Sequence, residues 1–200
     1  MPRTRIVAIG DSTTAGTPGF QSPVEVPPDG SGNRESQYAW WLMQAHPDWE
    51  VLNRGINGQR SDEIRARFER DAVQERPAAV ILIAGVNDAY QGRTAPHVIE
   101  QLSWMYATAT REGIRLIAGT ILPYNTATPE QNATMREINQ WIRRQAQVNP
   151  KVAFVDTRAA VAAPGRPDTL SDTDDQLHPS PAGYRAMADA IRPVLESVLR

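Results

Sequence analysis

The chain has no cysteine, which excludes a disulfide scaffold, thiolate metal sites and a cysteine nucleophile while leaving the redox compartment open. It has three histidines and one lysine, Lys151, so its basic residues are otherwise all arginine. The 21 basic and 23 acidic side chains give a formal charge of −2, and no run of one sign is long enough to lie along nucleic acid. No nucleic-acid partner is expected. No apolar run approaches the roughly 20 residues of a membrane span, so no membrane partner is expected either. The N-terminus, Met1 to Arg5, is basic, but only Ile6 to Ile9 follow before Gly10-Asp11, too few for the core of a signal peptide. As written the chain is expected in the cytoplasm, or outside the cell if an export signal has been trimmed.

What is present describes an ordinary globule: 40% apolar and 22% charged residues, against the profiles of disordered tails and membrane proteins. Two hundred residues, at about 150 per domain, predict one domain over residues 1–200. A chain of that size buries roughly 70% of its unfolded surface and needs no disulfide or structural metal. The stretch 17–35 stands apart, with Pro18, Pro23, Pro27, Pro28, Gly19, Gly30 and Gly32. It reads as a loop, either a wall or flap over a site or a disordered surface insertion.

Elsewhere short β-branched apolar runs alternate with amphipathic segments, the pattern of parallel strands joined by crossover helices. Strands are predicted at Arg5–Ile9, Glu50–Asn53, Ala79–Ala84, Arg115–Gly119 and Val152–Val155. The third has no polar face and belongs at the centre of the sheet. Ser36 and Ser61 are placed to cap helices. Further helical stripes run through Val98, Leu102 and Tyr106, through Met135, Ile138 and Ile142, and through Met187, Ile191, Leu195 and Leu199. Pro193 predicts a kink or break in the last of these. The result is a three-layer α/β/α sandwich with a five-stranded parallel sheet, whose βα loops gather at one edge.

Polar residues concentrate in those loops: Gly10-Asp11-Ser12-Thr13-Thr14-Ala15-Gly16, then Asn53-Arg54-Gly55-Ile56-Asn57-Gly58, then Gly85-Val86-Asn87-Asp88. A serine directly after a buried strand stands where backbone N–H groups stabilise developing negative charge. It needs a base within about 2.6–3.2 Å. His46 precedes Pro47 at a helix end and His97 opens a helix, both positions with structural uses. His178 lies in an irregular segment before the last helix, and Asp175, three residues earlier, can meet its Nδ1–H and leave Nε2 facing a hydroxyl. A metal at Asp172, Asp174, Asp175 and His178 is disfavoured, because Asp-x-Asp-Asp lacks the spacing of a calcium loop. Asp11 and Asp88 are expected to bind loop backbone, and Trp40, Trp41, Trp104 and Trp141 to serve as core or subunit contacts.

Together Gly10-Asp11-Ser12, Gly58, Gly85-Val86-Asn87-Asp88 and Asp175-Gln176-Leu177-His178 resemble, in order, the four sequence blocks of the SGNH hydrolases, the GDSL esterase and lipase superfamily. The resemblance spans residues 10–178. It implies a flavodoxin-like fold with no cofactor and no metal, Ser12 as nucleophile through an acyl-enzyme, His178 as base and then acid, and Asp175 as orienter. The implied oxyanion donors are the Ser12 N–H, the Gly58 N–H, with Gly55 as fallback, and the Asn87 amide. Thr13 replaces the leucine of the eponymous motif, a change found in members that act on esterified carbohydrate. With no long apolar surface stretch to hold a lipid tail, short-chain esters are favoured as the small-molecule substrate, acetylated sugars among them.

Tyr124 and Asn125, after the fourth strand, reach the same edge and are candidates for substrate contact. A different class stays open: a flavodoxin-like module that binds a flavin or phosphate through the 10–17 loop as a nest of hydroxyls and N–H groups. It leaves Asn87 and the Asp175–His178 pair without a role.

Overall fold

The computed structural model describes residues 3–200; Met1 and Pro2, the first part of the basic N-terminus, lie outside the described residues. Strand β1 (Thr4–Gly10) runs into a single helical turn, α1 (Ser12–Ala15), followed by a small antiparallel ribbon, β2 (Phe20–Gln21) and β3 (Ser31–Gly32). Next come α2 (Tyr38–Ala45), β4 (Trp49–Gly55), α3 (Ser61–Asp71), β5 (Ala79–Ile83), α4 (Val86–Tyr90) and α5 (Ala95–Arg111). The remainder is β6 (Arg115–Gly119), α6 (Pro129–Val148), β7 (Val152–Val155), α7 (Thr157–Val161), the pair β8 (Ala162–Ala163) and β9 (Arg166–Leu170), and α8 (Pro181–Val198).

The central sheet has the order β4-β1-β5-β6-β7, every pair parallel. Counting its strands along the chain, this is 2-1-3-4-5, the flavodoxin-like order, and the crevice beyond the carboxyl ends of β1 and β5 is its switch point. Side chains alternate across the sheet with period two. Val7, Ile9, Val80, Leu82 and Leu116 face the layer of α3, α5 and α6, while Ile6, Ala8, Ile81, Ile83 and Ile117 face α2 and α8. Every position of β5 is buried, as its unbroken apolar run requires.

The helical stripes read from the sequence are the buried faces: Val98, Leu102 and Tyr106; Met135, Ile138 and Ile142; Met187, Ile191 and Leu195. Leu199 falls one residue past the end of α8. That helix runs through Pro193 to Val198 without a break. Helix α6 starts on local chemistry, with the Thr128 hydroxyl accepting from the Gln131 N–H, the Gln131 side chain accepting from the Thr128 N–H, and Pro129 in the first turn.

Two predicted caps are not caps. Ser36 closes a short 3₁₀ turn, Arg34–Ser36, and Gln37 precedes α2 without a capping bond from its side chain, whose Oε1 accepts from Asn53 Nδ2 instead. Ser61 is the first residue of α3, and its N–H and hydroxyl both donate to Asp88, each at 2.8 Å. A tertiary carboxylate has taken the cap's place.

The 17–35 stretch is a packed loop rather than a disordered insertion. Phe20 is buried, the Ser22 hydroxyl donates to the Gly55 carbonyl at 2.5 Å, and the Glu25 carboxylate accepts from the N–H and Nδ2 of Asn57, each at 2.8 Å. The loop therefore buttresses the turn after β4.

Candidate active site

Ser12 emerges where β1 ends. Asp11 caps α1 by accepting from the Thr13 N–H at 2.9 Å and the Thr13 hydroxyl at 2.8 Å. Gly16, at φ +112°, ends the turn by donating to the Ser12 carbonyl. The N–H groups of Thr14 and Ala15 fold back on the Asp11 carbonyl. As the first residue of the turn, Ser12 has no intrahelical acceptor for its own N–H.

His178 arrives from the other end of the chain. Its Nε2 lies 2.9 Å from Ser12 Oγ and its Nδ1 lies 2.7 Å from Asp175 Oδ2. The other oxygen of Asp175 accepts from the N–H groups of Leu177 and His178, each at 2.8 Å. Partial burial alone raises the Asp175 carboxyl, but the bonds from the His178 ring and from those two N–H groups outweigh it and bring the pKa down to about 2. The carboxylate stays charged and holds the imidazole in one orientation.

Asn87 sits in α4, after Gly85 at φ +123°. One N–H of its side-chain amide donates to the Gln59 carbonyl at 3.0 Å; the geometry of an amide leaves it a second. Of the two glycines after β4, Gly55 has its N–H taken by Asn53 Oδ1 at 3.0 Å, and a Cβ there would stand 2.1 Å from the Ala15 nitrogen. Gly55 is the close approach that lets β4 end against α1. Gly58 is different: its φ is +73° and the space around it is open.

Ser12, Thr13, Val86, Asn87, Tyr90, Tyr124, Leu177 and His178 line one cavity of about 190 Å³. Tyr124 thus lies where the sequence placed it. Asn125 does not line the cavity: its Oδ1 accepts from the Leu170 N–H at 2.7 Å and its own N–H donates to the Gln176 carbonyl at 2.8 Å, so it braces the segment that carries His178. No residue of the 17–35 loop lines the cavity, which corrects the expectation of a wall or flap.

Asp11 is fully buried, with Oδ2 lacking a partner among the described residues. Burial pushes its pKa up to about 6, against the bonds from Thr13 and the nearby His178.

The other histidines are elsewhere. His46 ends α2, bonds Glu196 at 2.8 Å and stacks on Trp49. His97 groups with Asp62 and Asp88 within 4.8 Å, but both oxygens of Asp88 already accept from Ser61 and Asp62 is held by Arg60. Trp40, Trp41, Trp104 and Trp141 are all half-buried at the margins of the core.

A phosphate nest in the 10–17 loop fares no better. Thr13 bonds Asp11, Thr14 accepts from the Tyr38 hydroxyl and Thr17 bonds Asn57, so the hydroxyls are spent internally. A carboxylate caps the turn where the phosphate would sit.

The model of the GDSL-like lipase/acylhydrolase family matches residues 8–186. The chain belongs to this family. It is accordingly a carboxylic ester hydrolase. It is 31% identical over 169 residues to an acetylxylan esterase of Geobacillus stearothermophilus, which covers 76% of each chain. Among solved structures, a G-D-S-L family protein from Desulfitobacterium hafniense DCB-2 superposes with a TM-score of 0.77 at 27% identity, covering 96% of this chain and all of that one. Axe2, an acetylxylan esterase from Geobacillus stearothermophilus, shares the fold at a TM-score of 0.70 and 23% identity, covering 99% and 95%. Among the described residues no helix is long and apolar enough to cross a membrane.

Proposed function

We propose that the enzyme hydrolyses short-chain carboxylic esters through an acyl-enzyme on Ser12, with O-acetyl groups on carbohydrate as its substrate class. The observation that carries this reading is the unbroken chain from Asp175 through His178 to Ser12, at 2.7 and 2.9 Å. As Ser12 Oγ bonds to the ester carbonyl carbon, His178 Nε2 takes its proton and the carbonyl electron pair moves onto oxygen. The resulting oxyanion is received by the N–H groups of Ser12 and Gly58 and by the second Nδ2–H of Asn87. Gly58 is preferred to Gly55 because the Gly55 N–H is already donated to Asn53.

Collapse of the intermediate expels the alcohol oxygen, which takes the proton from Nε2. Water then gives a proton to Nε2 and attacks the acyl carbon, and the carboxylic acid departs as Ser12 recovers its hydrogen. Asp175 is the positioning group throughout, favouring the imidazolium formed in each half.

The small acyl group is supported by the size of the cavity, about 190 Å³, against about 300–1,000 Å³ for pockets that enclose drug-sized ligands. The sugar ester is supported by the relative named acetylxylan esterase and by Thr13 at the cavity wall. The test is Ser12→Ala assayed on p-nitrophenyl acetate, beside a wild-type panel from acetate to palmitate and acetylated xylo-oligosaccharides. Loss of hydrolysis in a folded Ser12→Ala protein and a steep fall beyond butyrate are expected. Wild-type turnover in the variant ends the serine mechanism, whereas a maximum at long chains replaces the substrate class alone.

A further inference from the structure

Helix α3 carries an arginine three residues after Ile64, on the face it turns to the core, and the Arg67 side chain is only 5% exposed. Its guanidinium is spread over four acceptors from four places in the chain. Nη2 donates to the Gly10 carbonyl at 2.8 Å, and Nη1 to the Arg54 carbonyl at 2.8 Å and to Asp71 Oδ2 at 3.1 Å. Nε donates to Gln59 Oε1 at 2.6 Å. Gly10 ends β1 two residues before Ser12, Arg54 lies at the end of β4, and Gln59 follows Gly58. The Gln59 carbonyl is in turn the acceptor for Asn87 Nδ2 at 3.0 Å. One buried cation therefore ties the strand end before the nucleophile to the turn that bears Gly58 and, through Gln59, to the amide of Asn87.

Burying a charge is costly, and where shape alone is needed an apolar side chain of similar volume serves as well or better. Asp71 answers part of the charge, but it is shared with Arg70, and three of the four bonds go to neutral groups at the edge of the catalytic crevice. A planar fork is the side chain able to reach these divergent acceptors at once; an ammonium is not.

We propose that Arg67 is a positioning residue that holds the Gly58 and Asn87 oxyanion donors in register with Ser12, acting through Gln59. This rests on the serine-esterase reading above. Its consequence is specific: the bonds to Gln59 matter for the tetrahedral intermediate and not for substrate affinity, so their loss belongs in kcat rather than in KM.

The experiment compares Arg67→Lys, Gln59→Leu, Gln59→Glu and the pair Arg67→Lys with Gln59→Leu on p-nitrophenyl acetate, in an enzyme whose activity Ser12→Ala has been shown to abolish. Arg67→Lys and Gln59→Leu are expected to lower kcat tenfold or more, on the scale seen for a displaced oxyanion donor, with KM within about twofold. Gln59→Glu, which keeps the acceptor, should retain kcat within about threefold, and the double variant should fall no more than about threefold below the weaker single variant. Ile142→Val, in the α6 layer, controls for destabilisation and should leave kcat unchanged. If Arg67→Lys does not fold, the half-exposed Gln59 pair decides alone. A kcat loss under threefold in Gln59→Leu, a loss carried by KM, or strictly multiplicative effects in the double variant would overturn the proposal while leaving the role of Ser12 intact.

Discussion

His178 Nε2 stands 2.9 Å from Ser12 Oγ although 166 residues separate them. Nothing local brings them together; the sheet does, by ending β1 and presenting the segment before α8 at the same edge. The His178 side of the contact is built to hold still. Asp175 gathers two backbone N–H groups and the ring, and Asn125 clasps Gln176 from the loop after β6.

Replacing Asp175 by Asn tests that construction. An amide in place of the carboxylate loses the charge and can favour the wrong imidazole tautomer, so kcat on p-nitrophenyl acetate should fall by about 10²–10⁴ with the fold intact. The sign of the acid response follows from the same residue. Its folded pKa, about 2, lies below the ordinary 3.8, so the stability it contributes is complete above pH 3.8 and is lost as pH falls through 2. Urea titrations of wild type and variant should therefore converge in strong acid. A variant with less than threefold loss of kcat would remove Asp175 from the mechanism.

Asn87→Ala removes one proposed oxyanion donor and should cost about 10²–10³ in kcat with little change in KM. Steady-state kinetics on p-nitrophenyl acetate read both quantities. An effect confined to KM would make Asn87 a substrate contact of the ground state.

The five strands were readable because each is a short apolar run bounded by polar turns, Ser12 because it directly follows the first of them, and Asp175 with His178 because they stand three residues apart in the irregular segment before the last helix. Other features depended on partners distant in sequence. Ser61 reads as a cap, but Asp88, 27 residues on, draws both its hydroxyl and its N–H. Asn125 reads as a candidate for substrate contact, whereas its Oδ1 and backbone N–H are bonded to Leu170 and Gln176. The proline-rich 17–35 loop looks free until Gly55 and Asn57 are found to anchor it. Arg67 falls on the core-facing side of α3, but the carbonyls that receive its guanidinium come from β1 and β4, far away in sequence. Which residues meet at the site was legible; the distant bonds that hold them there were not.

Asp11 gives a pH prediction of opposite sign to Asp175. Its pKa is raised by burial to about 6, so the folded protein binds its proton more tightly than the unfolded chain does. The stabilisation is complete below pH 3.8 and is lost as pH rises through 6, which at about 1.4 kcal/mol per pH unit is on the order of 3 kcal/mol. Asp11→Asn keeps an oxygen for Thr13 but cannot titrate. The urea midpoint of the variant, corrected for its constant offset, should lack the decline between pH 4 and 6 expected of wild type. Parallel profiles would place the titration on another group.

Leu177 is half-buried beside His178 and forms part of the cavity wall with Val86 and the tyrosines. Its backbone N–H bonds Asp175, a contact that Leu177→Ala preserves while the side chain is cut back. The enlarged cavity should admit longer acyl chains, and because one methylene in an apolar pocket is worth about 1–3 kcal/mol, the ratio of kcat/KM for butyrate over acetate should rise about tenfold or more. Acetate turnover should change little, since Ser12, His178 and the proposed oxyanion donors are untouched. If the ratio stays fixed while both values fall together, Leu177 supports the His178 segment rather than bounding the acyl group, and the short-chain preference must be set by Val86, Tyr90 and Tyr124 instead.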